Sequence, residues 1–138
     1  MSVTSRKARY IDAGEGFPLV MMPGMEGSRE FWRPQVEELA SSYRVVSCDL
    51  AVRRPSLRST IAEYAACTVG IMDELGIESA VVVGESMGGM VAQHIAVHHP
   101  ERAAGLILCN TMDRGRRGGF GFNAFTVATL AHQLAFLP

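Results

Sequence analysis

The sequence predicts an α/β domain with a mostly parallel, doubly wound sheet, and three observations carry that prediction. Four short apolar runs recur along the chain: Leu19–Met22, Val45–Cys48, Ala80–Val83 and Leu106–Cys109. Each is continuous rather than alternating, the pattern of strands buried on both faces of a parallel sheet. Longer segments with helical periodicity lie between them, so strand and helix alternate. Capping residues mark the ends of those segments.

In chain order, Ala8–Asp12 reads as an edge strand and AGEG at 13–16 as a turn. The strand Leu19–Met22 comes next. Pro34 suits a first helical position, so a helix is expected from Arg33 to Ser41, with Val36 and Leu39 facing inward. After the strand Val45–Cys48, Thr60 and Glu63 form a capping box, in which each side chain satisfies an otherwise orphan amide. Ile61, Tyr64, Ala65, Thr68, Met72 and Leu75 trace one face of the helix that follows, and Gly76 stands where a C-cap glycine belongs. Beyond the strand Ala80–Val83, a third helix keeps Met87, Met90, Val91, His94, Ile95 and His98 at helical spacing until Pro100 stops it. The strand Leu106–Cys109 closes the alternation. NTMDRGRRGGFGF then reads as a loop rich in glycine and arginine, and Asn123–Leu137 as a helix striped by Leu130, Leu134 and Leu137. Residues 1–138 read as one incomplete domain, with 112–138 as the beginning of a cap or lid.

Composition narrows the function classes. A chain of 138 residues with 48% hydrophobic and 20% charged content is an ordinary globular domain with a real core. A net charge of −1 supplies no field for nucleic acid or an anionic membrane. RGRRGG at 114–119 is one short basic run and reads as a solvated loop, or as part of the cap. No stretch approaches the roughly 18 apolar residues of a membrane span, and MSVTSRKARYIDAG has charge but no apolar core of a signal peptide. Cys48, Cys67 and Cys109 are odd in number and lack CxxC spacing, which suits small buried hydrophobes in a reducing compartment. A cytoplasmic protein is expected, and no metal-ligand cluster appears.

The chemistry concentrates in VVVGESMGGM at 81–90. Gly84-Glu85-Ser86-Met87-Gly88 matches G-x-S-x-G between a strand and a helix, the context that gives the motif its meaning. A sharp strand-to-helix turn forces the serine into a strained conformation, and small residues on either side let the crowded backbones pass. The hydroxyl then projects at the carboxyl end of the sheet, where open α/β sheets place ligands. Free amides at the helix N-terminus suit a developing oxyanion. The plainer alternative is a serine that merely caps the helix. A dinucleotide fingerprint fails, because it needs glycine at 86 and a suitably placed acid; a P-loop fails for want of Gly-Lys-Ser/Thr.

VVVGESMGGM, together with LVMMPGMEGSREFWRPQ at 19–35, resembles the α/β-hydrolase family. The second segment is similar to the loop after the family's third strand, with Pro23-Gly24 where a His-Gly pair is usual. YRVVSCDLAVRRPS at 43–56 is similar to the fourth strand and its loop, with Asp49 at the strand end and without the usual glycines. HHPERAAGLILCNT at 98–111 is similar to the sixth strand and its approach. The resemblance implies Ser86 as nucleophile and the backbone amides of Met25 and Met87 as the oxyanion hole. It implies an esterase-like serine hydrolase acting on a small-molecule ester or acyl substrate, with no cofactor. It covers the first half or so of the family's fold, so the chain reads as truncated before the acid and histidine, which follow later strands in the order Ser, Asp or Glu, His.

Other candidates within the chain are weaker. His94, His98 and His99 ride or follow the helix after Ser86 and lie turns away from the strand ends. His132 reads as a solvated helix residue, Asp113 as a loop residue and Glu85 as a structural or rim carboxylate. The isolated chain is therefore expected to hydrolyse esters weakly or not at all. A catalytically degenerate domain that binds an acyl compound or a partner is the alternative. Self-association is expected through the last strand, whose uncovered apolar edge is an aggregation hazard.

Overall fold

A computed structural model describes residues 9–51 and 59–112. Five strands form one sheet: β1 (Tyr10–Ala13), β2 (Pro18–Met22), β3 (Arg44–Cys48), β4 (Ala80–Glu85) and β5 (Ala103–Cys109). Their order is β1-β3-β2-β4-β5, with β1 antiparallel to β3 and the other pairs parallel. Three helices, α1 (Arg33–Leu39), α2 (Ile61–Glu74) and α3 (Met87–His98), connect successive parallel strands. The alternation read from the sequence is thus the real architecture.

Side chains alternate across the sheet, and the helices divide accordingly. Leu19, Met21, Val45 and Val83 pack with Trp32 and Val36 on the side of α1. Val20, Val46, Val82, Met22 and Cys48 face the opposite side, against Ile71 and Met72 of α2 and Val91 and Ile95 of α3. Both layers explain why β2, β3 and β4 read as unbroken apolar runs.

Local signals set the helix ends. A 3₁₀ turn, Arg29–Trp32, leads into α1, and Pro34 sits in its first turn. Both halves of the Thr60–Glu63 capping box form, and Gly76 closes α2 with φ +66. α1 stops at Leu39 rather than Ser41; β1 runs Tyr10–Ala13, and Ala8, where the strand was expected to start, lies outside the described residues.

The buried line of α3 runs through Gly88, Gly89, Val91, Ala92 and Ile95, while His94 is only partly buried and His98 is exposed. The helix lies so close to the sheet that small residues line the contact. One reading needs correction. On β5, Leu106, Ile107 and Leu108 are 41%, 49% and 43% exposed, so this run is not buried on both faces. The helix expected over 123–137 and most of the cap segment 112–138 lie outside the described residues. Among the described residues, no helix is long and apolar enough to cross a membrane.

Candidate active site

β2 continues to β3 on one side, whereas β4 pairs with β2 on the other. The chain order reverses between β2 and β4, and the crevice outside the carboxyl ends of two such strands is where doubly wound sheets bind ligands. Met22 is in register with Gly84, so the loop beginning at Pro23 and the turn at Glu85–Ser86 leave the sheet side by side. The two segments singled out in the sequence meet there.

Ser86 occupies φ 49, ψ −116, a conformation that a non-glycine residue adopts only under strain. The cost is about 1–3 kcal/mol, which the surrounding packing must hold. The flanking glycines make the turn sterically feasible. A Cβ on Gly84 would lie 2.2 Å from the Gly88 carbonyl oxygen, and one on Gly88 would lie 2.3 Å from that of Pro23. Strand, turn and helix therefore approach within distances that any side chain would block.

The serine's backbone is tied on three sides. Its N–H donates to the Cys109 carbonyl at 3.0 Å, and its own carbonyl accepts from the Gly89 N–H at 3.1 Å. Thr111 Oγ1 donates to the same carbonyl at 2.6 Å. The side chain, by contrast, makes no cap bond to α3. That removes the reading of Ser86 as an ordinary capping serine, whose hydroxyl would accept from the first-turn amides.

The opposite wall is the segment 24–29. The Gly27 N–H donates to the Gly24 carbonyl at 3.0 Å, closing a turn that presents Met25, which is 82% exposed. Asp49 anchors the far end: its carboxylate accepts from the Arg29 N–H at 2.9 Å and from Arg29 Nη1 at 2.7 Å. Ser47 Oγ donates to the Arg29 carbonyl at 2.7 Å. A Cβ on Gly24 would sit 3.2 Å from the Ser86 Cβ, so this loop lies against the serine. Met87 opens α3, where first-turn amides have no intrahelical acceptor.

The histidines do not join this constellation. His94 lies two turns along α3 from Ser86, about 12 Å down the axis, and stacks on His98 with ring centroids 4.2 Å apart. His99 faces Glu101 at 3.9 Å. Asp113 and His132 lie outside the described residues. Glu85 turns toward the Gly24 loop; burial and the charge of Glu26 raise its carboxyl above the usual range. Sequence reasoning missed Thr111 and also Gln93, whose amide donates to the Met112 carbonyl at 2.9 Å and ties the end of β5 to α3. Neither residue carries a local motif. Among the described residues, no group of three or more His, Cys, Asp or Glu side chains is placed to hold a metal.

A mostly parallel sheet with a strained strand–serine–helix turn at its switch point defines a protein of the hydrolase-like α/β class. The comparisons agree. A family model described as the alpha/beta hydrolase fold matches residues 18–124. The chain is 40% identical over 106 residues to 2-hydroxymuconate semialdehyde hydrolase of Pseudomonas sp. strain CF600, covering 70% of this chain and 37% of that protein. Among solved structures it is similar to a thermophilic esterase from Thermogutta terrifontis, with TM-score 0.72 and 34% identity, covering 78% of this chain and 42% of the other. It is also similar to the enol-lactonase from Burkholderia xenovorans LB400, with TM-score 0.68 and 30% identity, covering 74% and 42%. The chain belongs to the α/β-hydrolase-fold family. It spans less than half the length of these relatives.

Proposed function

We propose that this chain carries the nucleophile half of an esterase-like hydrolase site for a small-molecule ester or acyl compound. Ser86 is the nucleophile, and the Met25 and Met87 backbone amides form the oxyanion hole. The observation that carries this reading is the strained Ser86 backbone with a hydroxyl that caps nothing. Strain of this kind persists where geometry is needed for chemistry. In the reaction, Ser86 Oγ attacks the carbonyl carbon, and the two amides take the charge that develops on the carbonyl oxygen. A general base removes the serine proton and returns it to the departing alkoxide, and water then releases the acyl group. That base must come within about 2.6–3.2 Å of Oγ, and the described histidines are not placed to do so.

The isolated chain is accordingly a poor catalyst. Removing a triad member leaves about 10³–10⁴-fold catalysis over water, from the oxyanion hole and binding. Short-chain p-nitrophenyl esters, incubated with the chain and with Ser86→Ala, test the reading. The expected result is slow release above buffer that Ser86→Ala removes. Release equal in the two proteins would overturn Ser86 as nucleophile. Fast, Ser86-dependent turnover would instead show that a base lies within the chain, with His132 the first to replace.

A second reading, a catalytically degenerate domain that binds an acyl compound, is favoured by the distance of His94 from Ser86. It predicts saturable binding of such a compound with no turnover. The proposed setting is cytoplasmic, in keeping with three unpaired thiols at Cys48, Cys67 and Cys109. The proposed contact with a second copy is through β5.

A further inference from the structure

Ser86 and Asn110 are the non-glycine residues with positive φ among the described residues, at 49 and 46. They lie side by side, because Glu85 is in register with Cys109 at the ends of β4 and β5. The residues flanking Asn110 hold both peptide groups of Ser86. The Cys109 carbonyl accepts from the Ser86 N–H at 3.0 Å. Thr111 Oγ1 donates to the Ser86 carbonyl at 2.6 Å. In a continued parallel ladder the backbone N–H of Thr111 would make that second bond. Past the turns at Ser86 and Asn110, its hydroxyl makes it instead.

The carbonyl that Thr111 holds belongs to the same peptide group as the Met87 N–H. That group is planar and trans, so fixing the direction of its C=O fixes the direction of its N–H. A hydrogen bond accepted at one end also polarises the donor at the other. The Met87 N–H opens α3 and has no intrahelical acceptor, so it is free to serve a ligand. The neighbourhood is cut to fit the threonine. A Cβ on Gly89 would lie 2.4 Å from both Cβ and Oγ1 of Thr111 and 2.8 Å from its Cγ2. Gln93 holds the next residue, its amide donating to the Met112 carbonyl at 2.9 Å.

We propose that Thr111 is a positioning residue for the oxyanion hole: its hydroxyl fixes and polarises the Ser86–Met87 peptide, so that the Met87 N–H meets the charge developing on a carbonyl oxygen. The proposal rests on the reading of Met87 as an oxyanion donor. It gives the end of β5 a part in the chemistry, and it gives Gly89 a reason to be glycine: room for Thr111.

NMR of the full, isotope-labelled chain tests this together with ester release. Thr111→Val nearly keeps the side chain's shape and removes the donor. The Ser86 carbonyl carbon and the Met87 amide proton are both expected to move upfield. The kcat of slow, Ser86-dependent release from a short-chain p-nitrophenyl ester should fall about tenfold with KM unchanged, part of the roughly 10²–10³ lost when an oxyanion donor is removed outright. Thr111→Ser keeps the hydroxyl and restores both signals and the rate. Gly89→Ala, which displaces Thr111 without altering it, moves the same two signals as Thr111→Val. A merely structural threonine would lower the urea midpoint and leave the Met87 amide of the folded protein in place. Signals that ignore Thr111→Val overturn the proposal, as does a Thr111→Ser protein that behaves like Thr111→Val or a Ser86-dependent rate that Thr111→Val leaves unchanged. If Thr111→Val does not fold, Gly89→Ala and Thr111→Ser decide by the same signals. Ester release equal in wild type and Ser86→Ala, beside signals that follow the hydroxyl, would remove the hydrolase reading and leave the fixed peptide standing.

Discussion

β3 and β5 are comparably apolar strands in different surroundings. On β3, Val45, Val46 and Cys48 are fully buried, because β1 covers the outer edge and helices cover both faces. Burial, with the neighbouring charge of Asp49, pushes the Cys48 thiol up to about 12. On β5, Leu106 and Leu108 are in register with Val82 and Gly84, and Ile107 with Val83. All three remain roughly half exposed, on both faces of the sheet. The contrast separates two things that an apolar run conflates. The run specifies that a strand will form and gain by being covered; it does not specify what covers it. Covering is a tertiary property, and β3 has its neighbours among the described residues while β5 lacks them on its outer side.

The largest effect is expected where the comparison is most one-sided. Val46→Lys places an ammonium among Ile71, Met72 and Val20 with no partner. An unpaired buried charge costs several kcal/mol, comparable to the whole stability of a domain this size. The expected outcome is loss of the cooperative unfolding transition by circular dichroism. A folded Val46→Lys protein with a normal transition would mean that the β3 layer is far more open than described.

A glycine pair sharpens the comparison at intermediate size. Gly88→Ala drives a methyl to 2.3 Å from the Pro23 carbonyl oxygen and 2.4 Å from that of Met22, backbone atoms that cannot yield without moving β2. Gly105→Ala, on β5, meets only a side chain, Val81 Cγ2 at 3.2 Å. Gly88→Ala is expected to cost about 3 kcal/mol, and Gly105→Ala under about 1 kcal/mol, read as urea midpoints at constant slope. Equal costs would dissolve the distinction between a close-packed centre and a yielding edge.

The same distinction explains what the sequence revealed. Ser86 was legible because one short segment encodes strand, strained turn and helix together, and the two glycines that permit the turn lie within it. The Thr60–Glu63 box was legible because both partners are three residues apart. The loop 24–29 was legible in position, from the segment after β2, but its anchors at Ser47 and Asp49 became roles only once β3 lay beside it. Thr111 was not legible at all. Its hydroxyl reaches a carbonyl 25 positions back, and nothing local marks a threonine that will do so. The buried face of α3 was not legible, because its closest contacts use glycine and alanine. Short-range devices are written in adjacent residues; contacts between distant segments are written in the fold.

The smallest effect on stability is expected at the exposed end of the comparison, and it carries the most information about assembly. Ile107 is 49% exposed on the outermost strand of the described sheet. In Ile107→Lys, the aliphatic stem can lie along the sheet while the ammonium reaches water. The urea midpoint at low protein concentration should therefore move by no more than about 0.5 kcal/mol. Association should respond differently. A half-exposed apolar strand with unpaired edge groups is a template for a second copy, and a lysine on such an edge opposes pairing. Sedimentation over a range of concentrations is expected to show wild-type mass rising with concentration and Ile107→Lys holding near the monomer. A monomeric wild type would remove self-association through β5. A stability loss approaching that of Val46→Lys would show that β5 is covered in solution, and the two strands would then differ only in which segment does the covering.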